Sequence, residues 1–156
     1  EILKAGFDYG IEPVGLACRD TLRLEMKYAL YGNDIDSETN PIEAGLGWIT
    51  KLNKKTFIGK NAIVKKRKNI ERTLVSIEMK ELAIPRKGCI VYYNDRIIGK
   101  ISSGTMSPSI GKGIAIGYID PFYAKSGNNI DIDIRGVRKK GIIIQPPFYK
   151  TGSLHY

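Results

Sequence analysis

The sequence predicts an α+β protein in which a helical region is followed by an antiparallel β domain. Apolar residues between positions 13 and 30 recur at helical spacing, whereas from Arg72 onwards they alternate with polar residues. Short strand-like segments then follow at intervals of about 10 to 15 residues, separated by glycine and proline turns. This pattern is typical of a compact antiparallel barrel or sandwich, and the period alone does not distinguish the two.

The principal predicted helix begins at Pro13, which suits a first helical turn, and ends before Gly32, which can adopt a left-handed stop conformation. Arg19 and Arg23 lie one turn apart beside an apolar stripe, and Asp20 is spaced to pair with Arg23. An arginine beside an apolar face can bind a carboxylate or a polar heterocycle through its planar guanidinium. The same spacing is equally compatible with a solvated Asp–Arg ion pair that binds no ligand. The stripe that we expect to be buried comprises Cys18, Leu22, Met26 and Ala29 or Leu30.

A basic segment separates the two regions. The formal net charge is +9, and the excess is concentrated in residues 51–72. A short basic helix at 59–65 leads into a charged connector, so we predict units at 1–68 and 69–150, with a tail at 151–156. The run Lys65-Lys66-Arg67-Lys68 fits a solvated helix end, a docking face for an acidic protein, or a nucleic-acid patch. No aromatic residues interleave with it, which disfavours nucleic acid.

The β region contains several clear strand signals. Residues 73–79 alternate as a half-buried strand, and Asn94-Asp95 is a hairpin turn signal between two apolar runs. Further strands are predicted at 113–119, 129–134 and 140–144. The hydroxyl-rich stretch at 102–108 is interpreted as a turn between strands, because it lacks the features of a phosphate loop.

Composition excludes several classes of site. Cys18 and Cys89 are far apart and in no metal-ligand spacing, so we expect no disulfide, no metal and a cytoplasmic protein. Cys18 is predicted to be a small buried hydrophobe. His155 is the only histidine, which argues against a zinc site. No apolar run is long enough to span a membrane and no signal peptide is recognisable, while the amphipathic pattern at Glu1 suggests a fragment of a longer protein.

The segment GLACRDTLRLE…LYGNDID…NPIEAGLGW at 15–48 resembles the aminomethyltransferase of the glycine cleavage system, the T-protein family. The resemblance implies the end of the family's second domain, an α/β domain, followed by its C-terminal antiparallel β-barrel. It also implies transfer of a one-carbon unit from the aminomethyl-lipoyl arm of an H-protein to tetrahydrofolate, with release of ammonia. Further motifs match in the same order: FIGK at 57–60, PRKG at 85–88, SGTMSPS at 103–109, IGYI at 116–119 and PFY at 147–149.

The same resemblance implies where contacts to ligands are to be expected. The family's catalytic aspartate lies in its N-terminal half, and that motif does not occur here, so the chain alone is expected to be inactive. Arg19 corresponds to a folate- or substrate-contacting arginine, and Tyr31 and Trp48 belong to matched motifs. Ser153 aligns with a tail position that approaches the folate. Asp34 is predicted to organise its loop by capping nearby N–H groups.

Trp48, the only tryptophan, follows two glycines and is expected in a core or at a domain interface. Related families are less similar than the T-protein. Sarcosine and dimethylglycine dehydrogenases carry a flavin domain, and no flavin fingerprint is present here. Folate-binding proteins of iron–sulfur assembly carry a cysteine motif that the stretch 55–60 lacks. The alternative from another class is a non-catalytic module that binds folate or nucleic acid.

Overall fold

The computed structural model describes residues 1–151 and shows a closed six-stranded antiparallel barrel behind a short helical region. The strand order around the barrel is β1-β4-β3-β2-β5-β6, which confirms the predicted α+β class and selects a barrel over a sandwich. The helices are α1 (Ile2–Ala5), α2 (Leu16–Glu25) and α3 (Lys60–Arg67). The strands are β1 (Thr73–Met79), β2 (Ile90–Tyr93), β3 (Arg96–Ser107), β4 (Lys112–Ile119), β5 (Asn129–Ile134) and β6 (Val137–Ile144).

The barrel is filled by alternate residues of its strands. One face of β1 contributes Val75, Ile77 and Met79 to an interior that all the other strands also line. The opposite face of β1 is covered too, because Leu74 packs with Leu24 of α2 and with Phe148 in a second apolar cluster. Strand β1 is therefore buried on both faces rather than half-buried as predicted.

Strands β3 and β4 form the longest ladder of the barrel, and their contact is close. A Cβ atom added to Gly99 would overlap the carbonyl of Tyr118 on the neighbouring strand, so only glycine fits there. The predicted hairpin turn at Asn94-Asp95 joins β2 to β3 and is confirmed. The short basic helix is also confirmed, as α3.

The prediction of a hydroxyl-rich turn at 102–108 is wrong, because most of this stretch belongs to β3. Residues 103–107 pair with β4, and the register shifts between Ile101 and Ser103. One serine, Ser107, does accept the Ile110 N–H at the turn that follows β3. Ser102 and Ser107 donate hydrogen bonds to two buried carboxylates, which lie 68 and 82 residues away in sequence.

The predicted helix at 13–30 is too long at both ends. Helix α2 begins at Leu16 and ends at Glu25, because Lys27 adopts a left-handed conformation with φ 59°. The Tyr28 N–H then donates to the Arg23 carbonyl at 2.7 Å, which closes the helix end. Gly32, the predicted stop, has φ 86° but lies in the following loop.

The apolar stripe of α2 is not the face that packs on the barrel. Cys18 is exposed, contrary to the prediction, and Leu22 is 55% exposed. The buried face consists of Arg23, Leu24 and Glu25. Two ionisable residues can occupy this face because the barrel supplies hydrogen-bond partners for both. The two cysteines are free thiols.

Candidate functional site

The buried face of α2 carries an ion pair that ties the helix to the following loop and to the barrel. The Arg23 guanidinium donates to an Asp34 carboxylate oxygen at 2.6 Å and to the Ser103 hydroxyl at 3.0 Å. It also binds Asp20, as predicted, and the Tyr28 carbonyl. The Asp34 side chain is fully buried. We call Arg23, Asp34, Ser102 and Ser103 the Arg23 cluster.

Asp34 organises its loop as predicted, and it also reaches further. Its carboxylate accepts the Leu30 N–H at 2.8 Å and the Ser102 hydroxyl at 2.6 Å. Its backbone carbonyl accepts the Tyr118 hydroxyl at 2.8 Å. The loop after α2 is thereby fixed to both β3 and β4.

Glu25 is a second buried carboxylate, and serine hydroxyls satisfy it. Ser107 and Ser109 donate to its two oxygens at 2.5 and 2.9 Å. The Glu25 carbonyl accepts the backbone N–H groups of Phe148 and Tyr149, so α2 also holds the segment that follows the barrel. These contacts stabilise the position of the whole helix.

Arg72 connects Tyr118 of β4 with the loop segment that contains Glu43. The Arg72 guanidinium stacks on the Tyr118 ring at 4.5 Å and donates to the buried Glu43 carboxylate at 3.2 Å. Burial raises the pKa of the Tyr118 hydroxyl to about 12. The Leu74 N–H donates to the Glu43 carbonyl at 2.8 Å, which anchors this segment to β1.

Two adjacent surface pockets flank the end of α2. Arg19 lies exposed at the first, an apolar hollow of about 400 Å³ whose walls include Cys18 and Leu22. Trp48, 74% exposed, lies at the rim of the second, which has a volume of about 540 Å³. Both pockets are lined by Met26 and Tyr28, so the two hollows meet along one surface.

The predicted site residues therefore fall in different places. Arg19 and Trp48 line neighbouring pockets, whereas Tyr31 is 73% exposed and lines neither. Ser153 lies outside the described residues. A core position for Trp48 is ruled out in this structure by its exposure, and its predicted interface role stays a prediction.

The sequence interpretation missed Lys27, which lines the Trp48 pocket. No local signal marks this residue, because a lysine with positive φ is uncommon and its position depends on how α2 ends. Within residues 1–151, no group of three or more His, Cys, Asp or Glu side chains is placed to hold a metal ion. In the same part of the chain, no helix is long and apolar enough to cross a membrane.

Comparison with known proteins finds matches along most of the chain. Residues 72–150 match the family model of the glycine cleavage T-protein C-terminal barrel domain, and residues 1–54 match the GCVT N-terminal domain model. A crystal structure of glycine cleavage system aminomethyltransferase T from Bartonella henselae superimposes with a TM-score of 0.84 at 32% identity. That match covers 91% of this chain and 41% of the solved chain.

Curated relatives are similar over the same region. An aminomethyltransferase from Bacteroides thetaiotaomicron is 51% identical over 152 residues, covering 96% of this chain and 42% of the relative. An aminomethyltransferase from Chloroherpeton thalassium is 47% identical, with 94% and 41% of the two chains covered. A probable aminomethyltransferase from Pyrococcus furiosus is 47% identical, with 95% and 39% covered. The chain thus spans about two fifths of the length of these relatives.

Proposed function

Because this chain belongs to the glycine cleavage T-protein family, we propose that it forms part of an aminomethyltransferase of glycine catabolism and one-carbon metabolism. The reaction would move a one-carbon unit from the aminomethyl-lipoyl arm of an H-protein to tetrahydrofolate and release ammonia. The observation that carries this proposal is the family match to the barrel, together with relatives of that name at about half identity. We expect the enzyme to work in the cytoplasm.

In this proposal the chain binds and orients the folate acceptor rather than performing the chemistry. The family's catalytic aspartate motif does not occur in these residues, so we infer that the acidic group acts from elsewhere in the full enzyme. Holding the acceptor beside the aminomethyl group lowers the barrier by making the encounter effectively intramolecular.

Arg19 is the proposed folate contact. It lies exposed beside an apolar hollow, and no ion pair among residues 1–151 includes it, so its guanidinium is available to a ligand. A guanidinium can donate two parallel hydrogen bonds to a carboxylate or to the edge of a pterin. Tyr31, Trp48 and Ser153 remain further candidates for folate contact from the resemblance, with no assigned partner atom.

The folate proposal is tested by calorimetric titration of the chain with 5-formyltetrahydrofolate, a stable analogue. We expect Arg19→Ala to weaken binding roughly 10- to 100-fold, as loss of a charge-assisted contact would. Arg67→Ala is the matched control, since Arg67 is also an exposed helical arginine and is expected to bind as the unchanged protein does. Equal affinity of the two variants would overturn the role of Arg19.

The enzyme proposal is tested on the protein purified from its native host, in whatever length the gene encodes. We expect it to release ammonia from aminomethyl-loaded H-protein only when tetrahydrofolate is present. Absence of that activity, combined with DNA binding that weakens steeply with salt, would favour the nucleic-acid-binding alternative.

We propose that the basic helix α3 is part of the docking surface for an acidic H-protein. Lys66 lies within 4 Å of Glu43 and Glu71, whereas Lys65 and Lys68 are exposed. We therefore expect the double substitution Lys65→Glu/Lys68→Glu to slow association with H-protein, roughly tenfold at low salt.

The matched control for the docking test changes the same number of charges on the barrel. Lys80→Glu/Lys125→Glu alters two exposed lysines outside α3. Association rates measured by stopped flow at two salt concentrations separate the alternatives. An unchanged rate for the α3 variant, or an equal effect of both variants, would contradict docking through α3.

A further inference from the structure

Lys27 has an unusual backbone conformation for its residue type. Its φ of 59° lies in the left-handed region, which costs a residue with a Cβ free energy relative to glycine. The conformation is imposed by the end of α2, where Lys27 and Tyr28 donate their N–H groups to the carbonyls of Leu24 and Arg23. It directs the Lys27 side chain into the pocket beside Trp48.

The Lys27 ammonium has no charged partner in this pocket. Its closest hydrogen-bond acceptor is the Leu74 carbonyl at 3.5 Å, and no ion pair among residues 1–151 includes it. Partial burial lowers the pKa of the Lys27 amine. A half-buried cation without a counter-charge is unfavourable, and a bound anion would relieve that cost.

The walls around Lys27 are mostly apolar and include a planar aromatic side chain. The pocket volume of about 540 Å³ lies within the usual range for sites that bind small molecules. One end of the pocket meets the Arg19 hollow along Met26 and Tyr28. The remaining lining residues are Ala29, Ile35, Ala44, Gly45, Leu46, Trp48, Leu74, Pro146 and Pro147.

We propose that Lys27 binds the carboxylate of an aromatic ligand whose planar body lies against the surface between Trp48 and Tyr28. A lone cation in an apolar pocket selects one anionic group attached to an apolar body, rather than a polyanion such as nucleic acid. This inference rests on the proposed function in one respect: the aminobenzoyl-glutamate half of a folate acceptor is a ligand of this class. Arg19 and Lys27 would then contact different parts of one ligand.

The test uses p-aminobenzoyl-L-glutamate as the charged probe and its diamide, in which carboxamides replace both carboxylates, as a neutral probe of similar shape. Calorimetry gives affinities, and the fluorescence of Trp48, the only tryptophan, reports binding at this pocket. We expect Lys27→Met to weaken the charged probe tenfold or more while leaving the neutral probe unchanged. Lys27→Arg, which keeps the positive charge, should retain most of the affinity.

Control variants separate this outcome from loss of folding. Lys27→Met keeps an unbranched side chain in the same backbone conformation, and its urea midpoint is measured beside that of the unchanged protein. Lys125→Met removes one exposed positive charge from the barrel and should leave both probes unaffected. Equal affinity of Lys27→Met and the unchanged protein for the charged probe, or no detectable binding of that probe at millimolar concentration, would overturn the inference.

Parallel titrations with 5-formyltetrahydrofolate keep the two proposals apart. If Arg19→Ala loses folate affinity and Lys27→Met does not, the proposed function stands and the role of Lys27 fails. If the unchanged protein binds the aminobenzoyl-glutamate probe through Lys27 but binds no folate, the carboxylate pocket stands and the folate proposal fails.

Discussion

Removal of Arg23 tests whether its buried ion pair with Asp34 holds the helical region on the barrel. The guanidinium makes hydrogen bonds of 2.6 Å to Asp34 and 3.0 Å to Ser103, and the Asp34 side chain has no exposure to solvent. Arg23→Met would leave the Asp34 carboxylate buried without a counter-charge. Breaking one partner of such a pair costs about 3 to 5 kcal/mol.

The double variant Arg23→Met/Asp34→Asn should cost much less than the sum of its parts. In Asp34→Asn the amide oxygen can still accept the Leu30 N–H, while the amide NH2 donates to the Ser102 hydroxyl, which can in turn donate to the Ile116 carbonyl. The remaining loss is the three hydrogen bonds from Arg23 to the Tyr28 carbonyl, Ser103 and the exposed Asp20 carboxylate, or about 2 to 3 kcal/mol. Because removal of either partner alone costs about 3 to 5 kcal/mol, the summed single costs should exceed the cost of the double variant by about 3 kcal/mol or more.

Urea unfolding followed by far-ultraviolet circular dichroism gives the free energy of unfolding of the unchanged protein, of both single variants and of the double variant. The single variant Arg23→Met should also melt about 6 to 20 °C lower, given the usual relation for a chain of this size. Arg138 and Asp95 form an exposed comparison pair at 2.8 Å, and their cycle should show no coupling beyond error. Additive effects of the Arg23 and Asp34 substitutions would refute the buried-pair reasoning.

Three further predictions concern the packing of α2, β3 and β4. Leu24→Ala, at a fully buried position, should lower the free energy of unfolding in urea by about 2 to 5 kcal/mol. Leu22→Ala, on the exposed stripe, should have little effect, and a comparable loss of stability would mean that both faces of α2 are packed. Gly99→Ala should destabilise the barrel by about 3 kcal/mol, because the added methyl overlaps the neighbouring strand, while Gly15→Ala meets open space and should be tolerated. Because its pKa is raised to about 12, Tyr118 stabilises the fold below the ordinary tyrosine pKa, and this contribution is lost as the pH rises towards 12. The ultraviolet difference titration between the unchanged protein and Tyr118→Phe should show that high midpoint, and an ordinary midpoint would contradict the buried environment.

Features set by neighbours in the chain could be predicted from the sequence. The strand at 73–79, the hairpin turn at Asn94-Asp95 and the ion pair between Asp20 and Arg23 all depend on local period or spacing, and all are present. The order of the matched motifs also predicted the family and the barrel, because motifs that match a family along nearly the whole chain indicate that family's fold. Arg19 was chosen by that resemblance, and its contact with folate stays a prediction.

The tertiary structure alone decided which side of α2 faces the barrel, where the helix ends and what the serines of β3 bind. Periodicity finds an apolar stripe but not its partner, so it selected Leu22 where the barrel buries Leu24. Asp34 and Glu25 meet hydroxyls 68 and 82 residues further along the chain, and no local pattern encodes those contacts. Lys27 adopts its left-handed conformation where the chain leaves α2, in the segment that leads to Asp34 and its contact with Arg23. Local spacing thus indicated most of the elements, whereas long-range contacts determined the ends of α2, the extent of β3 and which residues the site presents.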